Sequence, residues 1–326
     1  MNSDWINFLK SNNAYFADDS EIIPTQSLDT ICALNHLAIL KVSGDDTETF
    51  LQGQLCCNIK ELNETKSFFT AFCNAKGRTI STLLIIKTAT DYLLVLPTEL
   101  IDKVCKKLQM YIMRSKVQLS NISNEHCLIA VQSNSNTTLA ASMPGSSFAV
   151  TQESGIVIRF PLLNPRYLFI CPTEQAITLW NDISNEYKLT PCSPSNWIDQ
   201  DISAGIPWLN QQTSEEYIPQ MLNIDKLGGI SFNKGCYTGQ EIIARTHYLG
   251  KTKRELYLAY CDNAAEIENN TQIVNNNEQT VGKILSLQAG KQHTKMLIVM
   301  QSADTELKNL MLNNSNQDKI NLIDFE

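Results

Sequence analysis

The segment Lys234-Gly235-Cys236-Tyr237-Thr238-Gly239-Gln240-Glu241 carries the most specific pattern of this 326-residue chain and decides which fold we expect. Thr238 and Glu241 have the spacing of a capping box, which predicts a helix that begins at Thr238. Cys236 then lies just outside the helix N-terminus, two residues after Lys234. The helix dipole and a nearby ammonium both favour a thiolate, the form of cysteine that reacts or binds metal. Spacing alone supports equally a functional thiol and a cysteine that packs under the turn.

Upstream of this segment, patterns typical of strands and helices alternate along the chain. Residues 66–74 and 78–88 are rich in β-branched and aromatic side chains, and Gly77 between them suits the turn of a hairpin. Residues 98–115 place apolar side chains on one stripe and predict a helix. Ser193-Pro194 predicts the start of another helix, which we expect to end near residue 205. This alternation is typical of the α+β class.

Two further predictions concern the first sixty residues. Residues 30–42 are mostly apolar and predict a single strand. The acidic residues that follow Gly44 predict a helix start, and we expect this helix to run to about residue 58. Gly53 then lies inside the helix, where it costs about 1 kcal/mol relative to alanine. Close packing of another element over Gly53 is the plain explanation, and contact with a polar ligand is the alternative.

From residue 251 onward the chain has the pattern of strands only. Residues 253–261, 280–288 and 294–300 alternate or run apolar, and asparagines such as Asn270 supply turns between them. We therefore expect residues 246–326 to form a small β-barrel. The strand and helix pattern of residues 1–245 places that part of the chain in the α+β class.

Composition and charge argue against several classes of protein. The chain is 43% hydrophobic and 18% charged, which excludes wholesale disorder, and its apolar runs are too short to cross a membrane. The N-terminus lacks the pattern of a signal peptide. A net charge of −8 argues against a broad nucleic-acid-binding face. Ten cysteines are too sparse for a disulfide scaffold and match no metal-binding spacing, so we expect a cytoplasmic protein without a metal site.

Trp197 is a candidate ligand-binding residue in the first turn of the helix that starts at Ser193-Pro194. A flat indole can stack on a heteroaromatic ring, and a carboxylate such as that of Asp201 can pair with ring N–H groups. The simpler interpretation is that Trp197 anchors the helix in the core, and the sequence alone favours it because tryptophan is well buried on average.

Cationic side chains form a second group of candidates. Lys76 and Arg78 flank the predicted hairpin turn and are candidate contacts for an anionic ligand group. Arg245 opens a basic run that continues to Arg254, against the acidic balance of the whole chain. Such a run can receive a phosphate backbone, but more often it is a solvated face at a domain junction. For the hairpin cations, too, a solvated turn is the more common case.

Taken together, these segments resemble the YgfZ family of folate-binding, tRNA-modification-linked proteins, relatives of the glycine-cleavage T-protein, an aminomethyltransferase. Lys234–Glu241 matches the family signature without a mismatch, and the likeness runs from about residue 28 to 260. The other stretches that resemble the family are Leu51-Gln52-Gly53-Gln54, Asn74-Ala75-Lys76-Gly77-Arg78, Arg114-Ser115-Lys116-Val117, Ala204-Gly205-Ile206-Pro207, Ile218-Pro219-Gln220, Asn223, Leu227-Gly228-Gly229-Ile230-Ser231-Phe232, Ala244-Arg245 and Lys253-Arg254.

The resemblance implies a fold, a ligand and a role. The fold is the T-protein type, with two interlocked α+β domains plus a C-terminal β-barrel around a central channel. The two domains then share residues 1–245 and form the folate-binding part, with a boundary near 120–150 and segments that need not be continuous, and residues 246–326 form the barrel. The ligand is a reduced folate, tetrahydrofolate, in that channel. The role is to support iron–sulfur cluster assembly or client enzymes, including those that modify tRNA. A folate-dependent one-carbon transferase of the aminomethyl type is the alternative function.

The resemblance also assigns residues. Cys236 is the signature cysteine, with Lys234 beside it, and Trp197 matches a family tryptophan implicated in folate binding. A second such tryptophan falls at Leu37, a departure that removes one stacking surface. The transferase's Gly-Ala-Arg-Asp stretch is not visible, and Ile202-Ser203-Ala204-Gly205 stands at that helix, which argues against glycine-cleavage activity. The remaining expected folate contacts are Tyr237, Gln240 and Glu241, with Lys76, Arg78 and Arg245 as candidate anion contacts.

Overall fold

A computed structural model of the protein describes residues 2–14, 29–133, 138–153, 155–250, 252–262, 267–290, 293–301 and 309–326. These residues form two mixed layers of sheet and helix followed by a closed β-barrel, so the expected α+β architecture with a C-terminal barrel is confirmed. Within the described ranges, no helix has both the length and the apolar character that a membrane-spanning segment requires.

The elements alternate along the first two thirds of the chain and become purely β at the end. The helices are α1 (Ser3–Ser11), α2 (Thr47–Gln52), α3 (Ile101–Ile112), α4 (Thr138–Ser142), α5 (Thr173–Tyr187), α6 (Pro194–Ser203) and α7 (Gln240–Leu249), with 3-10 turns at Ile59–Glu61, Thr98–Leu100 and Pro219–Leu222. The strands are β1 (Thr30–Ala33), β2 (Leu37–Ser43), β3 (Phe68–Cys73), β4 (Thr79–Lys87), β5 (Tyr92–Pro97), β6 (Gln118–Asn121), β7 (His126–Gln132), β8 (Val150–Thr151), β9 (Ile156–Phe160), β10 (Arg166–Pro172), β11 (Thr190–Pro191), β12 (Arg254–Cys261), β13 (Gln272–Val274), β14 (Thr280–Ala289), β15 (Thr294–Gln301), β16 (Leu310–Leu312) and β17 (Lys319–Ile323).

The two sheets interleave along the chain. The first sheet has the antiparallel order β3-β4-β5-β2-β6, and the second has the order β11-β1-β7-β10-β9-β8. The second sheet is antiparallel except for the parallel pair β1 and β11. The chain therefore enters the second sheet at β1, builds the whole first sheet from β2 to β6, and then returns to the second sheet at β7. The two α+β domains are interlocked as the fold class requires.

The single strand predicted for residues 30–42 is wrong, because the chain changes sheets in its middle. β1 ends at Ala33 and β2 starts at Leu37. Between them, Leu34 N donates to the carbonyl oxygen of Leu128 in the second sheet, whereas the carbonyl of His36 accepts from Thr98 N beside the first sheet. Both strands are buried almost throughout, so the apolar run gives no sign of the break.

The helix predicted to reach residue 58 is also wrong, since α2 ends at Gln52 and Gly53 is its C-cap rather than an interior residue. Beyond Gly53, Cys56 N donates to the carbonyl oxygen of Ala71 at 3.0 Å and joins this segment to the edge of β3. The side-chain amide of Gln52 holds the following turn, accepting from Ile59 N at 2.8 Å. Tertiary pairing with β3 therefore replaces the continuation of the helix.

Several other predictions are confirmed. The hairpin between β3 and β4 turns at Gly77, which has a φ of +68°. The predicted helix over 98–115 appears as a 3-10 turn followed by α3, whose buried stripe includes Val104 and Leu108. Ser193 caps α6 by accepting a hydrogen bond from Ser195 N, and Pro194 is the first helical residue.

The C-terminal barrel closes in the order β12-β15-β14-β13-β16-β17. The three strands expected from the sequence correspond to β12, β14 and β15, whereas the short strands β13, β16 and β17 gave no recognisable pattern. The barrel is tied to the preceding domains, because Asn223 Nδ2 donates to the carbonyl oxygen of Leu256 and Glu326 N donates to that of Ser203. Helix α7 crosses the predicted limit at residues 245 and 246, and the domain limits stay a prediction.

Candidate functional site

The helix after the signature segment begins later than the sequence predicts. α7 starts at Gln240, and Gly239 is its N-cap with a φ of +84° and no side-chain cap. The predicted capping box is therefore wrong: Thr238 directs its hydroxyl to Gln54 Oε1 instead, at 3.3 Å. Gln240 supplies the local closure, because its Oε1 accepts from Tyr237 N at 3.1 Å. Glu241 lies exposed in the first turn of α7.

The β3–β4 hairpin explains this shift of the helix start. A Cβ atom on Gly239 would lie 2.6 Å from the carbonyl oxygen of Asn74 and 2.9 Å from Gly77 Cα. The turn of the hairpin therefore packs directly on the segment, and only glycine fits both the left-handed backbone and the close approach. The same hairpin carries Lys76 and Arg78, whose side chains are exposed, so the structure brings these two cations beside the signature segment.

Lys234 is buried beneath the signature loop. Its Nζ donates to the carbonyl oxygens of Leu55 and Cys57, at 2.7 Å each, and lies 4.7 Å from the centre of the Tyr237 ring. Burial lowers the pKa of Lys234 to about 8. The ammonium group of Lys234 therefore holds the signature loop against the backbone at Leu55 and Cys57, and we call this contact the clamp. The sequence interpretation, in which it acts on the neighbouring thiol, did not foresee this arrangement.

Tyr237 is a second buried support of the loop. Its side chain reaches Cys56, and burial raises the pKa of its hydroxyl far above the usual range. Thr238 N donates to the carbonyl oxygen of Gly53 at 3.1 Å, which ties the loop to the end of α2. The backbone of Gly53 therefore contacts the signature segment directly.

Cys236 projects from this anchored loop. All ten cysteines lie in described residues, and Cys236 alone is exposed, while Cys105 is partly buried and the other eight are buried. Lys234, two residues before Cys236, and Tyr237, the residue after it, are both buried under the loop, so a fixed backbone presents Cys236 at the surface. Such a thiol is accessible to a small reagent or to a partner protein.

Trp197 lies on α6 and is buried. Its ring is covered by the guanidinium of Arg166, whose Cζ lies 4.4 Å from the ring centre, and by the edge of Phe160 at 5.2 Å. Arg166 Nη1 is also 2.9 Å from Asp201 Oδ1, and Asp201 Oδ2 accepts from Trp208 Nε1 at 2.8 Å. Burial raises the pKa of Asp201, and the positive charge of Arg166 acts in the opposite direction.

An aromatic series leads from Trp197 across the interior. Phe160 contacts Phe148 at 6.0 Å, Phe148 stacks on Phe69 at 6.2 Å, and Phe69 meets Trp208 at 4.8 Å between ring centres. The series joins both sheets to the segment after α6, and sequence reasoning missed it together with Arg166. The sequence does contain a pattern that could have identified Arg166, because it is a single arginine at the start of the otherwise apolar strand pattern of residues 166–171.

Leu37, the position of the second family tryptophan, is buried at the start of β2. It lines a cavity of about 200 Å³ where the chain passes between the two sheets, together with Trp5 and Asn35. Arg245 lies exposed on α7, and His247, two residues later on the same helix, stacks on Phe232 with ring centres 3.7 Å apart.

The surroundings of Trp197 fit a reduced folate. The side-chain oxygens Asn196 Oδ1 and Gln200 Oε1 are buried on α6 without a hydrogen-bond partner among the described residues. Buried polar atoms normally have partners, and a reduced pterin presents N–H donors along one edge. Two unpaired acceptors beside an aromatic wall suit that edge. The face of Trp197 under Arg166 is already covered, so a pterin would contact its rim or its other face.

The two interleaved sheets and the C-terminal barrel define a fold of the T-protein type. The structure of the glycine cleavage system aminomethyltransferase T from Bartonella henselae matches with a TM-score of 0.73, covering 96% of this chain and 94% of that one at 13% sequence identity. The family model described as the GCVT N-terminal domain matches residues 13–151.

Curated relatives narrow this class. The tRNA-modifying protein YgfZ of Colwellia psychrerythraea is 34% identical over 229 residues, which cover 69% of this chain and 69% of that protein. The tRNA-modifying protein YgfZ of Pectobacterium carotovorum is 30% identical over 246 residues, covering 74% and 73% of the two chains. The chain therefore belongs to the YgfZ family.

Proposed function

We propose that this protein binds a reduced folate and supports tRNA modification by way of iron–sulfur enzymes, with Cys236 as its functional thiol. One observation carries the proposal: Cys236 is the one exposed cysteine of ten, and it sits on a loop fixed from below by Lys234 and Tyr237. The relatives that share this fold are named tRNA-modifying proteins. The proposed location is the cytoplasm, where thiols remain reduced.

The proposed action of Cys236 is contact with a partner. Cys236 is exposed, whereas Lys234 and Tyr237 of the same loop are buried. Lys76, Arg78 and Arg245 are exposed on the hairpin and on α7, the two elements that flank the loop. These cations suit an acidic surface or an anionic ligand group near the thiol. Iron–sulfur assembly or client enzymes are the proposed partners.

The proposed folate site uses the interior next to α6. Asn196 and Gln200 would accept hydrogen bonds from the pterin edge, and Trp197 would contact the ring. A bound reduced folate supplies one-carbon carrier chemistry. Tyr237 is buried and Gln240 accepts a hydrogen bond within the loop, whereas Glu241 is exposed. Among these three residues, Glu241 is therefore the better candidate for a contact with the ligand.

An accessory role is better supported than one-carbon transfer. Aminomethyl transfer needs a carboxylate that can steer a proton at the folate nitrogen. Both carboxylates of α6 are ion-paired: Asp201 Oδ1 with Arg166 at 2.9 Å and Asp199 Oδ2 with Lys295 at 3.0 Å. The helix that corresponds to the transferase's catalytic stretch thus offers no unpaired carboxylate. Tetrahydrofolate turnover with any of a broad panel of amine donors would instead support the transferase.

Anaerobic titration with tetrahydrofolate tests the folate proposal. Saturable quenching of tryptophan fluorescence that weakens in Trp197→Phe is expected, with Trp180→Phe as the matched control because Trp180 packs on Trp5 in a separate core. An unaltered spectrum at millimolar ligand would overturn folate binding.

Complementation tests the thiol separately. In cells that lack the protein, the full chain should restore iron–sulfur-dependent tRNA modification, and Cys236→Ala should not. Cys105→Ala, which removes the other partly accessible thiol, is the matched control and should restore it fully. Full activity of Cys236→Ala would overturn the role of the thiol.

A further inference from the structure

Two buried cysteines face each other directly beneath the signature loop. Cys56 Sγ and Cys73 Sγ are 3.7 Å apart, and neither side chain is exposed to solvent. The pair is fixed by backbone contacts, because Cys56 N donates to the carbonyl oxygen of Ala71 and Leu55 forms a bridge with Phe72. A short approach of the two sulfur atoms would therefore suffice to join them.

Both members of the pair are connected to the segment around Cys236. The carbonyl oxygens on either side of Cys56 hold the ammonium of Lys234, and the carbonyl of Cys56 itself accepts from Ser231 N at 2.9 Å. Cys73 precedes Asn74, whose carbonyl oxygen lies against Gly239. The thiol pair thus sits between the two contacts that fix the beginning and the end of the loop.

We propose that Cys56 and Cys73 form an oxidation site for peroxides, and that the resulting disulfide moves the loop that presents Cys236. Peroxide converts one thiol to a sulfenic acid as the O–O bond breaks and, for hydrogen peroxide, one water leaves. The second thiol then attacks the sulfenic sulfur, the S–S bond forms and a second water leaves. The two sulfur atoms together lose two electrons, which the peroxide accepts. This site goes beyond the proposed function and needs neither folate nor a partner.

The environment sets the rate of this reaction. Burial raises the pKa of Cys56, and the Cys73 thiol acts in the same direction, whereas Lys234 and Tyr237 favour the thiolate. The site therefore reacts more slowly than an exposed thiol, both when peroxide oxidises it and when a thiol reductant reopens the disulfide. We therefore expect the disulfide between Cys56 and Cys73 to form during sustained exposure to peroxide and not during a brief one.

The geometry couples the disulfide to the loop. Closing the sulfur–sulfur distance from 3.7 Å to about 2.0 Å pulls Cys56 and Cys73 together inside a close-packed interior. The backbone must follow, and with it the two carbonyl acceptors of Lys234. The disulfide therefore alters the hydrogen bonds of residues 231–239 without any direct reaction at Cys236.

The second sheet contains an internal control. Cys127 and Cys171 are register partners in the adjacent strands β7 and β10, both buried. They belong to the core around Trp5 and Trp180, not to the core that contains Cys56 and Cys73. A change at Cys171 tests the general effect of removing a buried thiol, without touching the support of the loop.

The experiment uses the full chain with Cys236→Ser, so that the exposed thiol consumes no peroxide. The protein is treated with hydrogen peroxide, its remaining thiols are alkylated after denaturation, and its peptides are analysed by mass spectrometry. Hydrogen–deuterium exchange of residues 231–239 is measured before and after oxidation. The comparison proteins carry Cys73→Ala or Cys171→Ala in the same background.

We expect a linked peptide pair containing Cys56 and Cys73, and a several-fold change in amide exchange at residues 231–239. The change should persist in Cys171→Ala and be absent in Cys73→Ala. Prolonged reduction of the oxidised protein with dithiothreitol should reverse the change in amide exchange. If Cys73→Ala does not fold, this reduced sample replaces it as the control without the disulfide. Recovery of Cys56 and Cys73 as alkylated thiols would overturn the oxidation site, and a disulfide with unchanged exchange would overturn its coupling to the loop.

Discussion

Arg166 Nη1 lies 2.9 Å from Asp201 Oδ1, and both side chains are excluded from solvent. The pair joins the first residue of β10 to α6, and Arg166 also covers the ring of Trp197. A buried ion pair contributes little net stability compared with apolar residues, but loss of one partner leaves the other charge unpaired. Arg166 therefore connects the ion pair to the ring of Trp197 at the proposed folate site.

Asp201→Asn is expected to lower the free energy of unfolding by about 3–5 kcal/mol, because the charge of Arg166 stays buried without its partner. Urea denaturation followed by circular dichroism measures the change. Asp199→Asn is the matched control on the same helix: its partner Lys295 is partly exposed, so the cost should stay below about 1 kcal/mol. Equal effects of the two substitutions would contradict this account.

Lys234→Met should destabilise the protein, because it leaves the carbonyl oxygens of Leu55 and Cys57 buried and without their donor. Each unpaired acceptor costs about 1–3 kcal/mol. Lys226→Met is the control, since Lys226 makes an exposed pair with Glu255 at 3.3 Å. The midpoints of thermal unfolding give the comparison, and a midpoint of Lys234→Met as high as that of Lys226→Met would refute the clamp.

The lowered pKa of Lys234 predicts that the free energy of unfolding depends on pH. Burial lowers the pKa of Lys234 from 10.5 to about 8 in the folded protein, so above pH 8 the unfolded chain binds more protons at this residue. Stability from this group therefore rises with pH between about 8 and 10. The difference in unfolding free energy between the natural chain and Lys234→Met should shift in favour of the natural chain over that range. A difference that stays constant with pH would contradict the shifted pKa.

Gly239→Ala is expected to destabilise the protein by more than about 1 kcal/mol, since alanine disfavours the left-handed backbone and its Cβ would meet Asn74. Gly235→Ala in the same loop is the control, because a Cβ there meets nothing within 4 Å and the change should stay within about 0.5 kcal/mol. Urea denaturation distinguishes the two. Similar costs would show that the hairpin does not hold the loop.

Native-state labelling should identify Cys236 as the fast thiol. A chromogenic disulfide reagent is expected to react with one cysteine rapidly and with Cys105 more slowly, as their burial differs. The Cys236→Ala variant should lose the fast phase and keep its unfolding free energy within about 0.5 kcal/mol. Persistence of the fast phase would show that another thiol is the accessible one.

Local patterns predicted most of the fold. The hairpin at Gly77, the helix after Ser193-Pro194 and the long barrel strands follow from turn residues, caps and alternation, which act within a few residues. The family resemblance added the T-protein type of fold and singled out Cys236 as the candidate thiol. These features depend on neighbours in sequence or on a specific motif, so one chain was enough to find them.

The errors share a different cause. Thr238 and Glu241 have the right spacing for a capping box, but contact of Gly239 with Asn74, far earlier in the chain, starts the helix at Gln240 instead. The pairing of Arg166 with Asp201 and the clamp from Lys234 to Leu55 are likewise contacts between distant residues. Propensity and periodicity carry no information on such contacts.

The passage of the chain from β1 to β2 constrains the order in which the protein can assemble during synthesis. All five strands of the first sheet lie between residues 37 and 121, so that sheet can form as soon as this stretch has left the ribosome. β1 is made earlier but pairs with β7 and β11, which end at residues 132 and 191. After residue 33, about 100 more residues must be translated before β7 is complete and about 160 before β11 is complete, at roughly 5–20 residues per second. β1 is therefore the first strand to be synthesised, but it can pair with its neighbours only after the first sheet has been made.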